Sequence, residues 1–330
     1  MSCHSPFNRR QALLALGSLA AGATLQPAFA QDYPAKPIKI IVPIGAGGAT
    51  DAVARAFANE LPSVLGQPVV IENKPGAAGV IGTMAVKQSA ADGYTLLLGT
   101  IGTHSTNQHL IARVPYDPMQ DFAPVSLLSK VSNVISVPKD FPARTLQEFV
   151  AHAKKHPGQI NYAVGTVGSS SHLAVEMFKQ RAGLDMVKIS YRGPAEAQTD
   201  LVAGRVHLMF APVINELANV QSGRTRALAQ TAAKRVRILP DVPTVAESGF
   251  PGFEASGWNG LFAPAGTPAA IVERLSAAVR QVAMRPALQQ IFTGQGVEVA
   301  TNTPAEFAKF LEADRKQWAA VIRAAGIKPD

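Results

Sequence analysis

The chain has 330 residues, 47% of them hydrophobic, a formal charge of +8 and one cysteine, Cys3. That length permits two domains and a core burying about 75% of the unfolded surface. With Cys3 in a segment expected to be removed, disulfides, thiol chemistry and cysteine metal ligands are excluded. Aromatics are only 6%, and basic residues are scattered apart from Lys234-Arg235-Val236-Arg237, so no nucleic-acid partner is expected.

The first 30 residues read as an export signal. Arg9 and Arg10 form a positive start, Ala12 to Ala23 an apolar stretch, and Ala28-Phe29-Ala30 a small-x-small cleavage site. The apolar stretch is shorter than the roughly 20 residues of a membrane span. Both the general secretory route and a twin-arginine route fit, and either places the remainder in the periplasm. That remainder carries +6, a mild positive field that helps collect small anions.

Ile38 to Val42 is a β-branched strand, followed by the turn Pro43-Ile44-Gly45-Ala46-Gly47-Gly48-Ala49-Thr50. A helix then starts near Thr50 or Asp51, both good N-cap types, with Val53, Ala54, Phe57, Ala58 and Leu61 on one face. A strand, a glycine turn and a helix start present free amides and the positive end of a helix dipole, which suits phosphate or carboxylate. A plain βα connection remains open at this point. Strands follow at Pro68 to Asn73 and Thr95 to Gly99, with a small-residue helix between them from about Val80 to Ala90. The alternation predicts a parallel α/β sheet. Thr100 to Asn107, with Thr103, His104 and Asn107, is expected to be a polar loop at a carboxyl strand end, where ligands bind in open sheets. His104 and His109 have no third ligand near in sequence, so no metal is expected.

Val125 to Leu128 and Asn133 to Val137 read as strands crossing between domains. Thr145 with Glu148 is a capping-box signature for the next helix. Then the opening pattern returns: strand Ile160 to Val164, turn Gly165-Thr166-Val167-Gly168-Ser169-Ser170-Ser171, and a helix from His172. Gly47 and Gly168 stand 121 residues apart, about one domain. Two such helix starts on separate lobes predict a cleft gripping a dicarboxylate, or a carboxylate with a second polar end. Further strands are expected at Val187 to Tyr191, Val206 to Phe210, Arg226 to Thr231 and Trp258 to Phe262, the last returning to the first lobe. A short helix is expected around Val245, and the tail from Pro268 to Ala325 reads as mostly helical.

An enzyme is not expected. The Gly45-x-Gly47 turn has Thr50 where a dinucleotide fingerprint needs its third glycine, no Gly-Lys-Ser/Thr P-loop is present, and no Gly-x-Ser-x-Gly elbow occurs.

Several motifs, in order, resemble the Bug family, the extracytoplasmic solute receptors of tripartite tricarboxylate transporters. They include Gly47-Gly48-Ala49-Thr50-Asp51, Gly66-Gln67-Pro68-Val69-Val70-Ile71-Glu72-Asn73-Lys74-Pro75-Gly76, Ser170-Ser171-His172-Leu173-Ala174, Leu239-Pro240-Asp241-Val242-Pro243 and Ala263-Pro264-Ala265-Gly266-Thr267-Pro268. The resemblance implies a type II periplasmic-binding fold: two Rossmann-like lobes, an inter-lobe cleft and a hinge. The lobes expected are residues 31–131 with 251–330, and residues 132–250. It further implies a monomer without cofactor that captures a small carboxylate for integral-membrane permease subunits; presentation to a membrane sensor kinase is the alternative. The ligand would sit against Ile44, Gly45, Gly47, Gly48, Ala49, Thr50 and Asp51 of one loop, and Thr166, Val167, Gly168, Ser169, Ser170 and Ser171 of the other. Thr103, His104, Asn107, Tyr191, Gly193 and Ala211 would line the cleft. The sequence departs from the family pattern at Ile44 (usually a bulky aromatic), Ala46 (usually proline) and Ala211-Pro212 (often Asp-Asn), the last favouring a ligand without an amine.

Overall fold

The computed structural model describes residues 1, 33–165, 168–191 and 193–327. The expected export segment, Thr166, Val167 and Arg192 fall outside the described residues.

Short β-branched runs form the strands, buried at the centre of each sheet and more exposed at its edges. Strand β1 (Ile38–Val42) buries four of its five residues. It pairs in parallel with β2 (Val69–Asn73) on one side and β3 (Thr95–Thr100) on the other. Helix α1 (Ala49–Glu60) covers this sheet with Val53, Ala54 and Phe57. The six-stranded sheet is completed by β4 (Phe122–Val131), β10 (Gly257–Pro264) and β11 (Val297–Val299), in the order β11-β4-β10-β3-β1-β2. β10 runs antiparallel to both β3 and β4.

The second sheet repeats that plan in the order β7-β6-β8-β5-β9. Its parallel trio is β6 (Ile160–Val164), β7 (Met186–Ser190) and β8 (Leu208–Pro212). Antiparallel to β8 runs β5 (Asn133–Pro138), then β9 (Thr225–Gln230). Thus each sheet has a second-first-third parallel trio followed by one strand that crosses over from elsewhere in the chain. Both sheets lie in one unit spanning Lys36–Asp330.

The crossings are bonded to each other. Only Ser132 separates β4 from β5. The Asn133 amide donates to Thr231 Oγ1 at 3.0 Å, and the Thr231 amide returns a bond to the Asn133 carbonyl at 2.9 Å. Asn133 Nδ2 donates to the Ala255 carbonyl at 3.3 Å.

Several sequence expectations need correction. The expected polar loop at Thr100 to Asn107 is helical instead, a π-helical turn at Gly102–Thr106 running into Asn107–Leu110. It is held so because the hydroxyls of Thr100 and Thr103 satisfy the strand-end amides, and Tyr116 Oη donates to the Thr103 carbonyl at 2.8 Å. The N-cap of α1 is Gly48, not Thr50 or Asp51. Thr145 caps its helix as expected, but Glu148 reaches back to the Arg144 amide rather than completing the box. The complete capping box is Thr303 with Glu306, at the start of the tail helix Pro304–Ala324. The short helix expected around Val245 is a turn, stabilised by exchanged bonds between Thr244 and Glu247.

Candidate functional site

The carboxyl ends of both parallel trios carry a strand-turn-helix loop, and the two loops are built on one scheme. In the first, Gly47 adopts φ +87°, a region costly for a side chain. Its amide donates to Asp51 Oδ2 at 3.0 Å. In the second, Gly168 adopts φ +78°, and its amide donates to His172 Nδ1 at 3.0 Å. The residue after each glycine, Gly48 or Ser169, is an extended N-cap, and the helix begins immediately, at Ala49–Glu60 and Ser170–Ala182. Asp51 and His172 are 121 positions apart, the same offset as the two glycines.

Side chains behind each loop fix it. Arg55 Nε donates to Asp51 Oδ2 at 2.8 Å, and Asn73 Nδ2 donates to Asp51 Oδ1 at 2.8 Å and to the Ile44 carbonyl at 3.1 Å. Burial opposes ionisation of Asp51, but bonds from Arg55, Gly47 and Asn73 outweigh it and bring its pKa down to about 2. Asp51 is 3% exposed, with its carboxylate committed to holding the loop. Behind His172, Glu176 accepts from the Tyr162 hydroxyl in a short bond and lies 3.7 Å from His172 Nε2. Burial again opposes ionisation, yet the adjacent His172 ring, the Tyr162 hydroxyl and Lys179 lower Glu176 to about 2. His172 Nδ1 accepts the Gly168 amide, and Nε2 faces that carboxylate.

With Gly47 and Gly168 amides already bonded, the remaining donors are those of the first helical turns. Ala49 and Thr50 in one loop, and Ser170 and Ser171 in the other, have no intrahelical partner for their amides. Ser169 Oγ caps the His172 amide at 3.3 Å, and Ser171 Oγ donates to Asn133 Oδ1 at 2.8 Å. Gly45, Gly47 and Gly48 are exposed, whereas Ile44, Ala49 and Thr50 are half-buried.

The helical segment 102–110 links the loops. A Cβ placed on Gly79 meets Thr103 Cγ2 at 2.8 Å and Pro43 Cβ at 3.4 Å, and one placed on Gly168 meets Leu110 Cδ1 at 2.5 Å. Ser170 lies beside β10, 3.0 Å from a Cβ placed on Gly257.

Three expected lining residues face inward. Thr103 Oγ1 lies 2.8 Å from His104 Nδ1, and the His104 ring stacks on Phe262 at 3.8 Å. Burial, reinforced by the positive charge of Arg315, lowers the His104 pKa to about 3. Asn107 Nδ2 donates to the Ala78 carbonyl at 3.0 Å. Thr103 and Asn107 thus bond within the segment and to its neighbours, whereas His104 Nε2 and Thr106 Oγ1 are buried with no hydrogen-bond partner among the described residues. Ala211 is also buried, paired with Val134 inside the second sheet. Tyr191 donates to Asp200 Oδ2 at 2.9 Å, and burial with that carboxylate raises its pKa to about 12. Gly193 is the N-cap of the helix Pro194–Val202, extended and half-buried, with open space at its Cβ position.

Sequence reading missed the roles of Asn73, Arg55, Leu110, Asn133 and Glu176. Only Arg55 and Glu176 carried a signal, each being four residues beyond the side chain it supports. Among the described residues no group of three or more His, Cys, Asp or Glu is placed to hold a metal ion, and no helix is long and apolar enough to cross a membrane.

Residues 53–327 match the family described as "Tripartite tricarboxylate transporter family receptor". Protein BugT of Bordetella pertussis is 36% identical over 324 residues, covering 98% of this chain and 99% of that protein. The structure of R. palustris Rpa4515 with adipate superposes with a TM-score of 0.78 at 35% identity, over 90% of this chain and 100% of that one. MatC from Rhodopseudomonas palustris with bound malate gives a TM-score of 0.72 at 33% identity, over 88% and 100%. The two repeated sheets are the type II periplasmic-binding plan of these neighbours.

Proposed function

Since the chain belongs to the tripartite tricarboxylate transporter receptor family, the Bug receptors, and is a solute-binding protein, we propose that it works in the periplasm, capturing a small dicarboxylate and handing it to membrane permease subunits. Its lobes meet at the bonded crossings near residues 131–132 and 250–251. The chain acts as a receptor, not a catalyst. The ligand's carboxylates sit at the two loops, one over Gly48, Ala49 and Thr50, the other over Ser169, Ser170 and Ser171.

The observation that carries this reading is the matched pair of helix starts 121 residues apart, each with its turn amide already bonded. Each start offers unpaired amides and the positive end of a dipole, worth about 0.3–1 kcal/mol for an anion. The relatives bound to adipate and malate support a dicarboxylate of that length range. With Asp51 neutralised by Arg55, no free carboxylate in the first loop opposes it.

A melting screen of mono-, di- and aromatic carboxylates tests the proposal. A ligand at 100 times its dissociation constant adds about 2.7 kcal/mol. A clear upward shift with four- to six-carbon dicarboxylates is expected; flat curves across the panel would remove the carboxylate reading.

A further inference from the structure

The run Lys234-Arg235-Val236-Arg237 takes no part in the site above. It follows β9 and lines a groove of about 380 Å³, together with Thr293, Val299 and the Lys130–Glu254 pair. The two sheets' peripheries touch beside it: a Cβ placed on Gly296 meets Val213 Cγ1 at 2.7 Å and Ile238 Cγ2 at 3.3 Å. None of the groove's residues belongs to either strand-turn-helix loop.

The charges lining it do not balance. Lys130 is committed to Glu254 at 2.6 Å. Arg235 is committed to Glu247 at 2.9 Å and to the Pro240 carbonyl at 3.0 Å. Lys234 and Arg237 are exposed and, among the described residues, have no ion-pair partner. Against these two free cations stands one free carboxylate, Glu298. Like charges brought into one concavity repel, and the walls focus their field outward, so an anion entering there relieves the repulsion. Arg237 adds a planar fork suited to a carboxylate or phosphate edge.

We propose that this groove is a second binding site, for a small polyanion of the polycarboxylate or phosphate type, held by Lys234 and Arg237. Its volume falls at the small end of the range for ligand pockets, about 300–1,000 Å³, and suits a molecule of citrate or pyrophosphate size. No aromatic side chain lines it, so it offers nothing for a nucleic-acid base to stack on.

Calorimetric titration of the full chain with citrate and with pyrophosphate tests the site. Helix-start amides accept phosphate as well as carboxylate, so the variants, not the probe alone, separate this groove from capture at the loops. Both cations are exposed and unpartnered, so Lys234→Ala/Arg237→Ala should melt like the parent and keep any dicarboxylate-induced shift. Its affinity for pyrophosphate should fall about tenfold or more, given the strength of charge-assisted bonds. Gly48→Val should leave pyrophosphate binding intact. The proposal is overturned if the double variant binds both probes as tightly as the parent, or if neither probe binds the parent at millimolar concentration. Capture of an acidic peptide or an oligonucleotide, with no response to the small anions, also overturns it.

Discussion

The helix starts at Gly47–Asp51 and Gly168–His172 share a backbone and differ in their surroundings. Both put a left-handed glycine one residue before the N-cap and spend its amide on a side chain four positions later. In the first loop that acceptor is an aspartate clamped by Arg55 and Asn73. In the second it is a histidine backed by Glu176 and Tyr162. A Cβ added to Gly45 or Gly47 meets nothing within 4 Å, whereas one added to Gly165 strikes the Pro194 Cα at 2.6 Å. Shape at the first loop is set by internal bonds, and at the second largely by what packs on it. The same helix-start geometry is thus reached by two routes, and only the first leaves open space beside its outer glycine.

The largest difference should appear at the outer glycines. Gly165→Ala forces a methyl into backbone that has no soft neighbour, and should cost about 1–3 kcal/mol or more. Gly45→Ala enters open space and should stay within about 0.5 kcal/mol. Urea unfolding of both variants measures this, and equal losses would erase the contrast between a packed and an open loop.

Next come the acceptors. Asp51→Ala strands the Gly47 amide and Arg55, and should cost about 1–3 kcal/mol at neutral pH. Asp51 has a folded pKa of about 2 against an ordinary 3.8, so its contribution is full above 3.8 and is lost as pH falls toward 2. The penalty of the variant should therefore shrink in acid. Glu176, about 2 in the fold against 4.5, gives the second loop a similar window starting slightly higher. Unfolding of Asp51→Ala and Glu176→Gln at pH 7 and pH 3 separates the two; pH-independent penalties would show that charge does not hold the loops.

The segment between the loops titrates differently. His104 is neutral in the fold, with its pKa lowered from 6.5 to about 3. The unfolded chain takes up that proton first, so stability falls as pH drops from 6.5 toward 3. His104→Phe should flatten this slope, and an unchanged slope would move the origin of acid sensitivity elsewhere.

How much of this was readable beforehand follows from range. The strands and loops at Ile38 to Asp51 and Ile160 to His172 were legible because apolar runs, glycines and hydroxyls lie next to one another in sequence. The segment at Thr100 to Asn107 misled because its polar composition matches a loop. The Thr100 and Thr103 hydroxyls are satisfied at the strand end, the Ser105 hydroxyl by the distant Asp314, and the Thr103 carbonyl by Tyr116, thirteen residues away. The cap at Gly48 was missed because Thr50 and Asp51 are better capping types, but Asp51 was needed for the Gly47 amide. Leu110 against Gly168, and Asn133 against Ser171, join segments dozens of residues apart and leave no local trace.

A modest stability effect and the sharpest functional one should coincide at Gly48. Its backbone, φ −82° and ψ 169°, is ordinary extended geometry that valine adopts without strain. A Cβ there meets only Ile44 Cδ1, at 3.9 Å, so Gly48→Val should cost only the roughly 1 kcal/mol of a poorer N-cap type. Yet its γ-methyls would stand over the amides of Ala49 and Thr50, where the carboxylate is proposed to sit. The dicarboxylate-induced melting shift should vanish while the unliganded protein still melts cooperatively, only slightly lower. A retained shift would take the first loop out of the site and leave the second to bind alone, which the equal construction of the two loops argues against.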